Sequence, residues 1–169
     1  GASVEVFTGW GSQSLSSSVI LDPASWSLDH FGEKLIATIK NGKTFEWDPI
    51  HSQPNGLTTR ATAVSNAPTK SIMSIVSERD RHLIILGTET TIGTNSTQDP
   101  MFIRFSDQES ISDYSPTSTN TAGTFRLDSG VKIVGAAKAK DYILILTDTS
   151  AYVMQFVGPP FTFSIRQVG

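Results

Sequence analysis

Three short apolar ribbons recur along the chain, each behind a charged or polar turn and ahead of an aromatic segment. They read Leu35-Ile36-Ala37-Thr38, Leu83-Ile84-Ile85-Leu86 and Ile143-Leu144-Ile145-Leu146. Each is too short for a buried helix and too β-branched to favour one, so each reads as a strand buried in a sheet. The second ribbon is apolar without alternation, as a strand covered on both faces must be. The aromatic segments that follow end near Trp47, Phe105 and Phe156. Nowhere does apolar spacing of 3, 4 and 7 persist over three turns, so no amphipathic helix is expected.

The ribbons sit roughly 50 to 60 residues apart, with Leu35, Leu83 and Leu144 taken as equivalent. Sequence periods of about 40 to 50 residues with several strands each mark propeller blades, and longer insertions fall between blades. The expected fold is therefore all-β, with antiparallel propeller-like repeats over about 23–66, 67–115 and 116–169. A Gly/Ser-rich arm or loop precedes them over 1–22. Three blades cannot close a ring that needs about four to eight, so the repeats are expected to belong to a larger propeller. A start without Met and an end at Gly169 suggest a fragment of a longer product, although removal of an initiator Met explains the first equally well.

Turn chemistry supports the strands. Lys40-Asn41-Gly42-Lys43 separates two β-rich runs, and Asn-Gly fits a two-residue type I′ hairpin turn. Pro49 closes the following strand because it lacks an N–H for the ladder. Residues 50–70 read as a long loop with one short strand near Arg60–Val64. Further strands are expected at Ile72–Val76, His82–Gly87, Met101–Ser106, Val131–Ala137, Tyr142–Asp148 and Ala151–Gly158. Residues 107–124 read as loop.

Composition excludes several functions. A net charge of −3 argues against the basic stripe that stable nucleic-acid binding requires. The absence of Cys removes disulfides, Cys-zinc sites and Cys nucleophiles together. No apolar run approaches the ~20 residues that span a bilayer, and the first residues lack a signal-peptide pattern.

Candidate chemistry is sparse. His30, His51 and His82 lie in different repeats without close spacing, so no metal site is expected, and His82 reads as a strand-edge residue with a satisfied ring. Asp107, Glu109 and Asp113 offer paired acids of the kind a hydrolase uses, but in a polar loop they read first as solvated or turn-forming groups. No nucleophile elbow or dinucleotide fingerprint occurs, and no catalytic residue or cofactor is assigned. Trp26, Trp47, Phe105, Tyr152 and Phe156 recur in register with the repeat, which favours packing. Trp10 and Tyr114 are the rings best placed for a partner or a glycan.

Ile103-Arg104-Phe105-Ser106-Asp107-Gln108-Glu109, then Asp113-Tyr114-Ser115-Pro116, then Asn120-Thr121-Ala122-Gly123 resembles a pattern of bacteriophage tail structural proteins, in which Trp more often stands at the position of Tyr114. Leu35–Thr38 with Phe45, Trp47 and Asp48, the Arg81–Ile84 strand, and the run from Thr147 to Pro160 extend the resemblance over most of residues 26–169. It implies a β-propeller-containing nozzle or hub of a short-tailed phage, assembled in the host cytoplasm as six copies around the genome-ejection channel. Its partners would be further copies and adjoining tail or portal-adaptor proteins, with DNA passing without specific binding. Arg104, Asp107, Gln108, Tyr114 and Asn120, together with Trp10, are the candidate interaction residues. The alternative is a carbohydrate- or receptor-binding propeller module, and a third reading is a hydrolase using Asp107, Glu109 or Asp113.

Overall fold

The computed structural model describes residues 25–49 and 60–169. The described chain is all-β, in three four-stranded antiparallel sheets, each following chain order. Sheet 1 holds β1 (Trp26–Phe31), β2 (Lys34–Ile39), β3 (Thr44–Trp47) and β4 (Thr62–Ala63). Sheet 2 holds β5 (Met73–Ser77), β6 (His82–Leu86), β7 (Phe102–Phe105) and β8 (Gly123–Arg126). Sheet 3 holds β9 (Ile133–Lys138), β10 (Ile143–Thr147), β11 (Ala151–Gly158) and β12 (Thr162–Gln167).

The sheets stack face to face. Phe31, Ile36 and Val64 pack against Val76, Leu83, Ile85 and Tyr114 between sheets 1 and 2. On the opposite face of sheet 2, Ile84, Leu86, Ile103 and Phe105 pack against Ile143, Ile145, Tyr152, Met154 and Phe163 of sheet 3. Strand β6 therefore sends alternate side chains into two cores, and all five of its residues are buried. Each large apolar side chain so covered contributes about 1.5–3 kcal/mol.

The first strands of the sheets converge, with β1 beside β5 and β5 beside β9. Strand β5 pairs only with β6, so its other edge has free amides. Side chains of β1 cap them: Val76 N–H donates to Asp29 Oδ2 at 2.7 Å and Ser74 N–H to Ser27 Oγ at 3.1 Å.

Several expectations need correction. The Asn41-Gly42 hairpin forms, but its turn is not type I′. Only Asn41 has positive φ (58°), and Gly42 N–H closes the turn onto Ile39 O at 2.9 Å. One positive φ at the third turn position is the type II pattern. The physical reason is that Gly42 forms a bridge with Ser71, which ties the turn to the connection into sheet 2. Two strands lie outside those expected: β8, where Gly123-Thr124-Phe125-Arg126 is mostly exposed and shows no buried alternation, and β12. Since β8 completes sheet 2, that sheet ends after Arg126 rather than near residue 115.

His82 opens β6, as expected, but does not lie at a surface. It is fully buried on a central strand among Phe105, Phe156 and Phe163, with Nδ1 2.7 Å from Ser106 O. Its Nε2 has no hydrogen-bond partner, so the ring is only half satisfied.

Candidate functional site

Two polar assemblies stand out: the loop platform after β7 and the inner edge where the first strands meet. The platform contains most of the residues singled out by sequence. Asp107 accepts hydrogen bonds from Thr121 N–H (2.8 Å) and Thr121 Oγ1 (2.7 Å), while its own N–H donates to Asp113 O at 2.8 Å. Burial opposes ionisation of Asp107, but the Thr121 and Gln108 donors and the nearby His82 outweigh it and hold its pKa below the usual value. Such a carboxylate suits an acceptor and not a general acid.

Asn120 pins the same loop, accepting from Thr117 N–H at 2.9 Å and donating to Ser115 O at 2.8 Å and Asp113 Oδ2 at 3.2 Å. Gln108 has an exposed side chain, and its N–H donates to Thr121 Oγ1. Glu109 faces Arg81 at 3.4 Å. The three acids are thus engaged in holding the loop.

Tyr114 is not a surface ring. It is 1% exposed within the core between sheets 1 and 2, its hydroxyl has no partner, and burial pushes its pKa up. Arg104 is buried as well. Its guanidinium donates to Thr90 O (2.9 Å), Glu89 O (3.3 Å) and Tyr114 O (3.4 Å), and lies 5.5 Å from the centre of the Phe102 ring. Burial lowers the Arg104 pKa, and the Glu89 charge counters part of that. Arg104 therefore clamps the 89–90 and 114 backbones together from inside. Trp10 and His51 lie outside the described residues.

Sequence reading passed over Glu89, a fully buried acid whose carboxylate accepts from Gly93 N–H at 2.7 Å and from Thr69 N–H at 3.2 Å. Nothing in a Thr-rich loop distinguishes one acid as the buried anchor.

The inner edge also escaped notice. Lys138 Nζ of β9 lies 2.7 Å from Asp29 Oδ1 of β1 and 2.8 Å from Glu78 Oε1 after β5, so one ammonium touches acids from both other sheets. His30 Nε2 is 3.4 Å from the same Glu78 oxygen. His30 gains this neighbour because sheet stacking joins residues that sequence separates. The Lys138 hydrogen bond, then its charge, lowers the Glu78 pKa. For Lys138 itself burial works against the charged form, but the bonds to Asp29 and Glu78 outweigh burial and raise its pKa.

Asp29, His30 and Glu78 place one ligand atom each within 4.8 Å, a spacing a metal ion tolerates. The Lys138 ammonium already sits on the two carboxylates. A metal ion would have to displace it, so the arrangement works as a charge latch between sheets. One signal could have found it: Asp29 alternates with Ser27 and Phe31 on the inward face of β1, and an inward charge requires a partner.

Beside the latch, a cleft of about 230 Å³ opens between sheets 2 and 3, lined by Glu78, Lys138, Tyr142, Met154, Phe156 and Phe163 among others. Its lining combines charged groups of both signs with an aromatic floor and includes the half-exposed ring of Tyr142. No helix among the described residues is long and apolar enough to cross a membrane. In comparisons with known proteins, no family model matches the chain and no curated protein matches it significantly.

Proposed function

We propose that the chain is a non-catalytic structural component, a sector of a β-propeller in a phage tail nozzle or hub that forms part of the genome-ejection channel. The observation that carries the architectural half is the apolar face at each end of the stack, exposed among the described residues. Leu83 and Ile85 face sheet 1, and Ile143 and Ile145 face sheet 2. The matching residues of sheet 1, Leu35 and Ala37, face away from the stack, and Leu35 remains 41% exposed. At the other end Leu146 and Val157 are exposed in the same way. A repeating stack with apolar ends calls for further sheets.

Convergence of the first strands supports a fan instead of a flat pile, since Lys138 reaches Asp29 past the inner edge of sheet 2. The tail assignment rests on the sequence resemblance, and the occupied state of Asp107, Glu109 and Asp113 fits an architectural role. In this reading the chain acts with further copies and adjoining tail proteins, and DNA passes without specific binding. Electron microscopy of the intact assembly tests it. A ring of radially arranged sheets around a channel is expected, and an assembly without such a ring overturns the reading.

A second reading, a carbohydrate- or receptor-binding module, is favoured by the cleft beside Tyr142. It predicts a saturable glycan-array signal that Tyr142→Ala abolishes, and a blank array removes it.

A further inference from the structure

The β5–β6 turn and the β9–β10 turn both line the cleft between sheets 2 and 3. Its walls are held at a fixed width, because Lys138 Nζ joins Glu78 Oε1 across the two turns at 2.8 Å. Its floor is fixed too. Phe156 lies 5.8 Å from Phe163 in an edge-to-face pair, and both rings pack on the buried His82. A site so held loses little freedom when a ligand enters.

Two features of the lining define the occupant. Asp80 Oδ2 is buried in the wall and has no hydrogen-bond partner among the described residues. A buried acceptor without a donor is costly, so a fitting ligand brings an O–H or N–H to that oxygen. Around it, none of Arg79, Asp80, Lys140 and Asp141 forms an ion pair among the described residues, so two cations stand against two carboxylates. A cationic ligand would meet Arg79 and Lys140, and an anionic one the bare Asp80. An uncharged ligand that both donates and accepts meets favourable partners of each sign. The floor of Met154, Phe156 and Phe163 calls for an apolar face on the same molecule.

A pyranose combines these properties. Its hydroxyls donate and accept around the rim, while its C–H groups form an apolar face that lies against aromatic rings. The volume of about 230 Å³ is below the roughly 300–1,000 Å³ of sites for larger ligands, which limits the occupant to a single ring. We infer that the cleft binds one uncharged pyranose, the terminal unit of a glycan. Asp80 Oδ2 accepts from one ring hydroxyl, Lys140 donates to another, and the C–H face lies against Phe156 and Tyr142. The inference rests on the carbohydrate-binding reading and adds the ligand class and the residue that selects it.

The test is titration of the isotope-labelled full chain with the methyl pyranosides of glucose, mannose and galactose, read by amide NMR shifts. At least one is expected to shift the amides of 77–80 and 139–142 saturably. Glucuronate and protonated glucosamine should bind at least about fivefold more weakly, since each meets a like charge. Asp80→Asn should weaken binding at least about tenfold by removing the charged acceptor, and the exposed Lys140→Ala at least about threefold. Spectra unchanged outside the cleft show that both variants are folded. No saturable shift with any of the three neutral sugars overturns the inference, as does tighter binding of either charged sugar or unchanged affinity in Asp80→Asn. A glycan array separates it from the broader reading. A signal that Tyr142→Ala abolishes but Asp80→Asn leaves intact keeps carbohydrate binding and removes the pyranose site described. A blank array with no shift removes both.

Discussion

Lys138 and Asp29 stand 109 residues apart in sequence and 2.7 Å apart in space, joining the third sheet to the first across the inner edge of the second. Asp29 is the more deeply placed partner, its side chain only 10% exposed against 28% for Lys138. It also accepts two backbone N–H bonds, from Val76 and His30, so its orientation is held independently of the lysine.

Lys138→Met leaves that carboxylate without its cation and should cost about 1–3 kcal/mol of stability, the price of a group left short of partners. The checking measurement is the urea midpoint at pH 7. Adding Asp29→Asn should recover part of the loss, so the double-mutant cycle returns a coupling energy above about 0.5 kcal/mol. A coupling of zero would mean the two charges do not meet in solution.

Acid sensitivity follows from Glu78 and Asp107. Both have folded pKa values below those of the unfolded chain, so their stabilising contributions are complete above the ordinary carboxylate range and are lost as pH falls through the folded values. Lys138 has the opposite sign: its pKa is raised from 10.5, and its contribution is lost as pH climbs past that value. Melting temperature should therefore fall below about pH 4 and again at strongly alkaline pH. Glu78→Gln should flatten the acid limb, and an unchanged limb would show that the latch contributes nothing there.

At Tyr114 two substitutions should diverge. Tyr114→Ala opens a cavity between sheets 1 and 2 and should cost about 3–5 kcal/mol, the range for deleting a large buried ring. Tyr114→Phe removes a buried hydroxyl that has no partner, and should be neutral or stabilise by about 1 kcal/mol. Chemical denaturation of both variants checks the pair. A Phe variant as weak as the Ala variant would reveal a hydroxyl bond that matters.

Gly123→Ala should also destabilise, since the new Cβ would lie 2.4 Å from Cζ of Phe105. That ring packs edge to face with Phe163 at 4.9 Å, so it cannot yield without disturbing the core of sheets 2 and 3. A loss of about 1–3 kcal/mol is expected from calorimetry.

Strand positions were readable where burial was one-sided or complete. His82–Leu86 was recognisable as doubly buried because five residues without polar alternation leave no face for water. Strand β8 was not readable, because Gly123–Arg126 gains its place from the Phe102–Phe105 ladder and not from its own pattern. The loop residues around Asp107 and Asn120 lie together in space, and their side chains serve the loop itself. A polar motif looks the same in sequence whether it meets a partner or its own backbone. The Asp29, His30, Glu78 and Lys138 latch was hidden for a different reason: three sheets contribute to it, and only their stacking angle brings the groups together.

Strand β6 carries a further consequence for how this chain survives synthesis. Leu83, Ile84, Ile85 and Leu86 form a short, uncharged, β-prone segment of the kind that self-associates into cross-β aggregates when bare. Arg79, Asp80 and Arg81 stand immediately ahead of it as charged gatekeepers. Its second face is covered only when residues 133–163 have been made, so a product truncated before sheet 3 should precipitate where the longer chain stays dispersed.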